Sequence, residues 1–242
     1  MFDQALLLAT FAALILGFTK SGFKGLSFIV VALMAKAFES KASTGILLPL
    51  LIAGDILAII YYRKDVDWKV LFRLFPSIAV GVIIGVFVGD RLSSEVFKRV
   101  MAAIIIGSGI LLVWMDRRES EKVPNDWVFA ASMGLTAGFC TMVGNLAGPI
   151  ANIYFLAMKF PKKRFIGTAA WLFFIVNTFK LPFHICVWKT ISLQSVQGSY
   201  WMIPIVAIGF AIGIKLIEKV SENIFKKYII VITLLGAILI LL

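Results

Sequence analysis

The sequence predicts an all-α polytopic membrane protein of two inverted-topology repeats, each with about five helical segments. Two pairs of short broken or re-entrant helices are expected within it. Three observations carry this reading. Of the 242 residues, 61% are hydrophobic and 15% charged, against about 45–50% and about 25% in a soluble domain. The charges cluster between apolar runs rather than alternating with them, and the alternation of a membrane β-barrel is absent. Two apolar runs are interrupted by glycine-rich polar stretches, Gly17-Phe18-Thr19-Lys20-Ser21-Gly22-Phe23-Lys24-Gly25 and Gly138-Phe139-Cys140-Thr141-Met142-Val143-Gly144-Asn145-Leu146-Ala147-Gly148-Pro149.

Ten apolar segments follow in order: Gln4–Thr19, Gly25–Phe38, Ser43–Tyr62, Val70–Gly89, Phe97–Met115, Trp127–Thr141, Pro149–Met158, Phe165–Val187, Leu193–Ile214 and Ile224–Leu242. The third, fourth, fifth, eighth, ninth and tenth reach the length of about 20 residues that a membrane-crossing helix needs. The other four, at 16, 14, 15 and 10 residues, flank the two glycine stretches. Irregular backbone at membrane depth is tolerated only against protein or a wet cavity. Paired interruptions in two halves point to a transporter's binding site.

If every segment crosses and the N-terminus is outside, 17 basic residues fall in inward loops and six in outward loops. This bias predicts both termini on the outer, periplasmic side of a bacterial inner membrane. Re-entrant short pairs would leave the parity unchanged. The start, Met1-Phe2-Asp3-Gln4, lacks the basic residues of a signal peptide, so the first segment is expected to be retained.

An internal repeat is visible. Gly85-x3-Gly89 matches Gly209-x3-Gly213, and Phe97-Lys98-Arg99 matches Phe225-Lys226-Lys227 with four extra residues in the second spacing. Five segments per half is an odd number, so the halves must run in opposite senses. The expected division is residues 1–115, a cytoplasmic linker 116–126, and residues 127–242.

The net charge of +11 records loop lysines and arginines, and the loops are too short for a nucleic-acid-reading module. Cys140 and Cys186 have no metal spacing, and the single histidine argues against a metal site. No Walker A pattern is present. No cofactor, metal or catalytic residue is therefore expected, and an intramembrane enzyme has no residues to support it. The expected surroundings are the lipid bilayer and a small anion. Homo-oligomerisation is left open, as is a non-transporting role as subunit of a membrane complex.

Lys20 and Lys24 stand at a membrane-depth break, where charges are costly and point to function. The next helix should start near Gly25, with Gly22 permitting the turn and free N–H groups facing the joint. The alternative is that both lysines snorkel to the cytoplasmic face. In the second stretch Pro149 suits a first helical turn, Gly144 and Gly148 admit close approach, and Thr141 and Asn145 can donate to an oxyanion. The alternative is a helix-packing role for Gly144-x3-Gly148. Asn177, Lys180 and His184 share one face of the eighth segment, and Asp55 lies deep in the third. An Asp55–Lys180 ion pair is one expectation; the other is that Lys180 joins the anion site and Asp55 couples protons. His184 reads either as an interfacial histidine or as a coupling group.

A family resemblance adds to this. The run Gly138-Phe139-x-Thr141-Met142-x-Gly144-Asn145-x-Ala147-Gly148-Pro149 is followed by Tyr154-Phe155-Leu156, Phe165-Ile166-Gly167-Thr168-x-Ala170-Trp171 and Asn177-x2-Lys180-x-Pro182-Phe183. Together with Gly17-x2-Lys20-x-Gly22-x2-Gly25, it resembles the sulfite exporter TauE/SafE family. The resemblance implies a two-repeat permease for small sulfur-containing anions, such as sulfite, sulfonates or related organic acids.

Overall fold

The structure is a computed structural model. It describes residues 2–38, 40–93, 127–225 and 227–229, with residues 95, 96, 99, 103, 107 and 231 besides. The linker 116–126 and most of the predicted fifth and tenth segments lie outside the described residues. All regular elements described are helical: α1 (Phe2–Lys20), α2 (Ser27–Ala37), α3 (Ser40–Tyr62), α4 (Trp68–Arg91), α5 (Trp127–Gly144), α6 (Ala147–Ala157), α7 (Lys162–Cys186), α8 (Leu193–Ser199), a 3-10 turn (Tyr200–Met202) and α9 (Ile203–Ile217).

Five described helices are long and apolar enough to cross a membrane. One of them, α5, corrects the sequence reading. It extends to Gly144 and reaches 18 residues, because its last turn of small and polar residues is held by Lys180. The ninth segment keeps one crossing, Ser195–Ile217, in which a 3-10 turn joins α8 to α9, with Pro204 in the first turn of α9. The outward faces are apolar: Phe72 and Phe87 on α4 are about two-thirds exposed. Apolar groups in such number suit lipid, not water. Trp68 and Trp127 open α4 and α5 and are both exposed, as expected of an aromatic belt.

Glycines set the helix pairs. A Cβ on Gly17 would lie 1.9 Å from the Val206 carbonyl oxygen, and one on Gly209 would lie 2.1 Å from that of Leu14. The contacts of Gly17, Gly209 and Gly213 advance together along α1 and α9, so these helices run parallel. On the other side, a Cβ on Gly138 would lie 2.1 Å from the Ile78 carbonyl oxygen, and one on Gly81 would lie 2.1 Å from that of Leu135. α4 and α5 are parallel by the same reasoning. Between these pairs α3 and α7 cross antiparallel, with Gly45 against Thr190, Gly167 against Asp65 and Asp55 meeting Asn177 at their middle.

Candidate functional site

The two glycine stretches meet beside the α3–α7 crossing. In the first, the chain leaves α1 at Lys20 and turns through Gly22 (φ 136°) and Gly25 (φ 105°), conformations that glycine adopts without steric penalty. In the second, Asn145 makes the turn at φ 57°, and asparagine is among the few residues that take this region readily. Neither Leu26 before α2 nor Leu146 before α6 caps its helix with a side chain, so both N-termini keep N–H groups for another acceptor. The two ends approach each other, since a Cβ on Gly148 would lie 3.5 Å from Ser27 Oγ.

Between them is a cavity of about 30 Å3, lined by Leu16, Lys20, Ser27, Val30, Val31, Leu47, Leu51, Thr141, Asn145, Ala147, Gly148, Phe173 and Asn177. Five residues expected from the sequence thus share one wall: Lys20, Thr141, Asn145, Gly148 and Asn177. Ser27 and Phe173 were not anticipated. Phe173 has a signal in hindsight: it lies four residues before Asn177 and seven before Lys180, on the same helical face.

The charges behind the wall are partnered differently from the expected Asp55–Lys180 pair. Lys20 Nζ lies 2.5 Å from Asp55 Oδ1, and Asn177 Nδ2 donates to Asp55 Oδ2 at 2.7 Å. Lys180 Nζ donates instead to the Thr141 carbonyl and hydroxyl oxygens, each at 3.0 Å, and to Asn145 Oδ1 at 2.7 Å. The reason is reach. α1 ends against α3 and brings Lys20 to Asp55, whereas Lys180 faces the end of α5. Asn145 Nδ2 also donates to the Thr44 carbonyl oxygen at 3.1 Å, tying the second stretch to α3.

Lys24 is 4% exposed. Its ammonium lies 5.5 Å from the centroid of the Phe173 ring, and that of Lys20 lies 5.4 Å from the same centroid. Gly22 faces away from the cavity, towards Ile166 and Ile217, and Gly144 ends α5. His184 is buried outside the cavity wall, with Nδ1 2.8 Å from Thr190 Oγ1 and its ring edge-on to Trp188. Among the described residues no group of three or more His, Cys, Asp or Glu could hold a metal ion.

A polytopic helical protein with two broken-helix joints, and buried cations at a cavity between them, has the features of a membrane transporter. The comparison with protein families is specific: the sulfite exporter TauE/SafE family model matches residues 6–240, and the chain belongs to that family. It is a membrane transporter for sulfite or related anions, from a family of transporters and not of enzymes. No curated protein and no solved structure matches the chain.

Proposed function

We propose that the chain moves a small sulfur-containing anion across the bacterial inner membrane by alternating access of two inverted repeats, residues 1–115 and 127–242. The carrying observation is the convergence of both glycine stretches, from opposite halves of the sequence, on one buried cavity that bears Lys20. Lys20, Thr141, Asn145 and Asn177 are the anion's side-chain ligands, with the uncapped N-termini of α2 and α6 adding N–H donors. Lys24 and Lys180 add field from behind. Gly22, Gly25, Gly144 and Gly148 shape the joints. The cavity, at about 30 Å3, suits water better than an oxyanion, so admission needs its walls to part, which supports rocking of the halves.

The reciprocal glycine contacts support the repeat. Gly17 corresponds to Gly138 (121 apart), while Gly81 and Gly85 correspond to Gly209 and Gly213 (128 apart). This register is one helical turn away from the Gly85–Gly209 match of the sequence motif. In sequence it also aligns Phe97 with Phe225, 128 apart, and removes the four-residue insertion. Paired helices oppositely directed in the two halves are what an inverted repeat requires.

With both termini periplasmic, the inside-negative potential drives anion export without a second ion. Uptake would need a coupled proton or cation, and Asp55 is the group placed to carry it. His184, away from the cavity, is the weaker coupling candidate. The test is reconstitution in vesicles with an imposed potential. Uptake of labelled sulfite that follows the potential and is lost in Lys20→Ala is expected. Equal flux in wild type, Lys20→Ala and empty vesicles would refute the reading. A carboxy-terminal reporter found in the cytoplasm would refute the orientation.

A further inference from the structure

Three lysines, Lys20, Lys24 and Lys180, are buried around the cavity, each at most 5% exposed. The same region holds one buried carboxylate, Asp55. Asp67 is also largely buried, but it lies at the start of α4, which it caps through Val70 N, and it pairs with Arg164. Formally, then, the centre carries two positive charges beyond what its own carboxylate balances. Their partners differ in kind. Lys20 has Asp55, and Lys180 has a carbonyl, a hydroxyl and an amide oxygen. The Lys24 ammonium has no hydrogen bond and no ion pair among the described residues, its backbone N–H alone donating to the Gly22 carbonyl oxygen. Its ammonium has only the Phe173 face, shared with Lys20.

A buried ammonium without an oxygen partner is costly, and Phe173 replaces only part of its hydration. Phe173 and Lys20 both line the cavity, and the Lys24 ammonium lies 5.5 Å from the centroid of the same Phe173 ring, so a ligand there sits close to both lysines. Resting on the anion-transport reading above, we propose that the site is matched to a doubly charged anion. The two negative charges complete a balance that Asp55 leaves short, with Lys24 as the residue that sets the valence. A monoanion would leave one buried charge uncompensated. In the filled site the anion competes with Asp55 for Lys20, and Asn177 keeps its bond to the displaced carboxylate.

The test uses anions whose charge is constant near neutral pH: sulfate and thiosulfate as dianions, methanesulfonate and isethionate as monoanions. Binding to the purified, full-length protein is read by thermal shift and by calorimetry. Dianions are expected to bind at least tenfold more tightly than monoanions of similar size. Lys24→Gln should weaken dianion binding by tenfold or more while changing monoanion binding less than threefold. Asp55→Asn should tighten both, because the internal competitor for Lys20 is gone. A variant that is merely misfolded would weaken binding, so the opposite signs separate charge balance from damage. Equal affinity for the two valences, or a Lys24→Gln loss shared equally by both, would overturn the valence proposal while leaving the anion site standing. No binding of any anion would remove the anion site itself.

Discussion

The two joints span the same length of chain and are built differently. Ten residues separate Gly17 from Ser27, and ten separate Gly138 from Gly148. In the second joint α5 stays helical to Gly144, and only Asn145 and Leu146 lie between it and α6. In the first, α1 ends at Lys20 and the six residues 21–26 are non-helical. The Thr141 carbonyl in the last turn of α5 is met by a cation from α7, Lys180, which suits a helix C-terminus. The first joint carries its own cations, and the counter-charge comes from Asp55 on α3. Its backbone is held elsewhere, by the Tyr62 hydroxyl donating to the Ser21 carbonyl oxygen at 2.6 Å. The second joint is therefore fastened by a cation held on neutral dipoles, with no carboxylate for an anion to displace. The first is fastened by a carboxylate, the group the proposed anion would replace.

The largest effect that would test this contrast is at the ion pair. Lys20→Met and Asp55→Asn should each destabilise the protein by about 3–5 kcal/mol, because each leaves a buried charge without its partner. The double variant should cost less than the sum of the two. Lys180→Met, whose partners are neutral, should lie well below either single change, at about 1–3 kcal/mol for the hydrogen bonds it strands. Denaturation in detergent, run as a double-mutant cycle, measures all four. Equal losses for Lys20→Met and Lys180→Met would erase the distinction between the joints.

Much of the fold was legible because the bilayer forces long apolar runs, and these stand out in any window of the sequence. The site was legible in part for the same reason: Lys20, Asp55, Asn177 and Lys180 are conspicuous inside such runs. Pairing was not. Whether Asp55 meets Lys20 or Lys180 depends on how far α1 reaches along α3, which no local pattern encodes. The length of α5 was hidden because Thr141, Gly144 and Asn145 look like a break until Lys180 supplies their bonds. Ser27 escaped notice because an isolated serine at a helix start is ordinary. Glycines at four-residue spacing recur along α4, so sequence alone offers several registers for the proposed repeat, and their contacts with α5 favour the 128-residue one.

A middle-sized effect separates the two ways of turning the chain. Asn145→Gly keeps the φ 57° conformation and loses the bonds to Lys180 and Thr44, a cost of about 1.5–3 kcal/mol where a charged partner is involved. Asn145→Ala should cost about 1 kcal/mol more, for the left-handed backbone. Gly22→Ala should also destabilise, but through sterics: its Cβ would lie 2.8 Å from Ile166 Cδ1 and 2.9 Å from Ile217 Cγ1, at φ 136°. Pairing Gly22→Ala with Ile166→Val should recover part of the loss, whereas the same partner should do nothing for Asn145→Ala. Melting temperatures of the five proteins decide it. Rescue of both, or of neither, would mean that the joints fail by a common route.

The smallest effect is expected where the chemistry of the first joint recurs at the surface. Lys41 at the start of α3 bonds Asp90 at the end of α4 at 3.1 Å, and its ammonium lies 5.2 Å from the centroid of a Trp188 ring. The residue types match Lys20, Asp55 and Phe173: a lysine, an aspartate and an aromatic face. The setting differs, because the Lys41 and Asp90 side chains are 25% and 50% exposed, where water competes for both charges. Exposed pairs contribute about 0.2–1 kcal/mol, so Lys41→Ala should shift stability by no more than about 1 kcal/mol and leave anion affinity unchanged. Raising the salt concentration should erase most of that loss, while the Lys20–Asp55 pair, away from solvent, should respond far less. If Lys41→Ala proved as damaging as Lys20→Met, burial would not be what distinguishes the two pairs. Competition between an anion and Asp55 for Lys20 inside a buried site would then lack its physical basis.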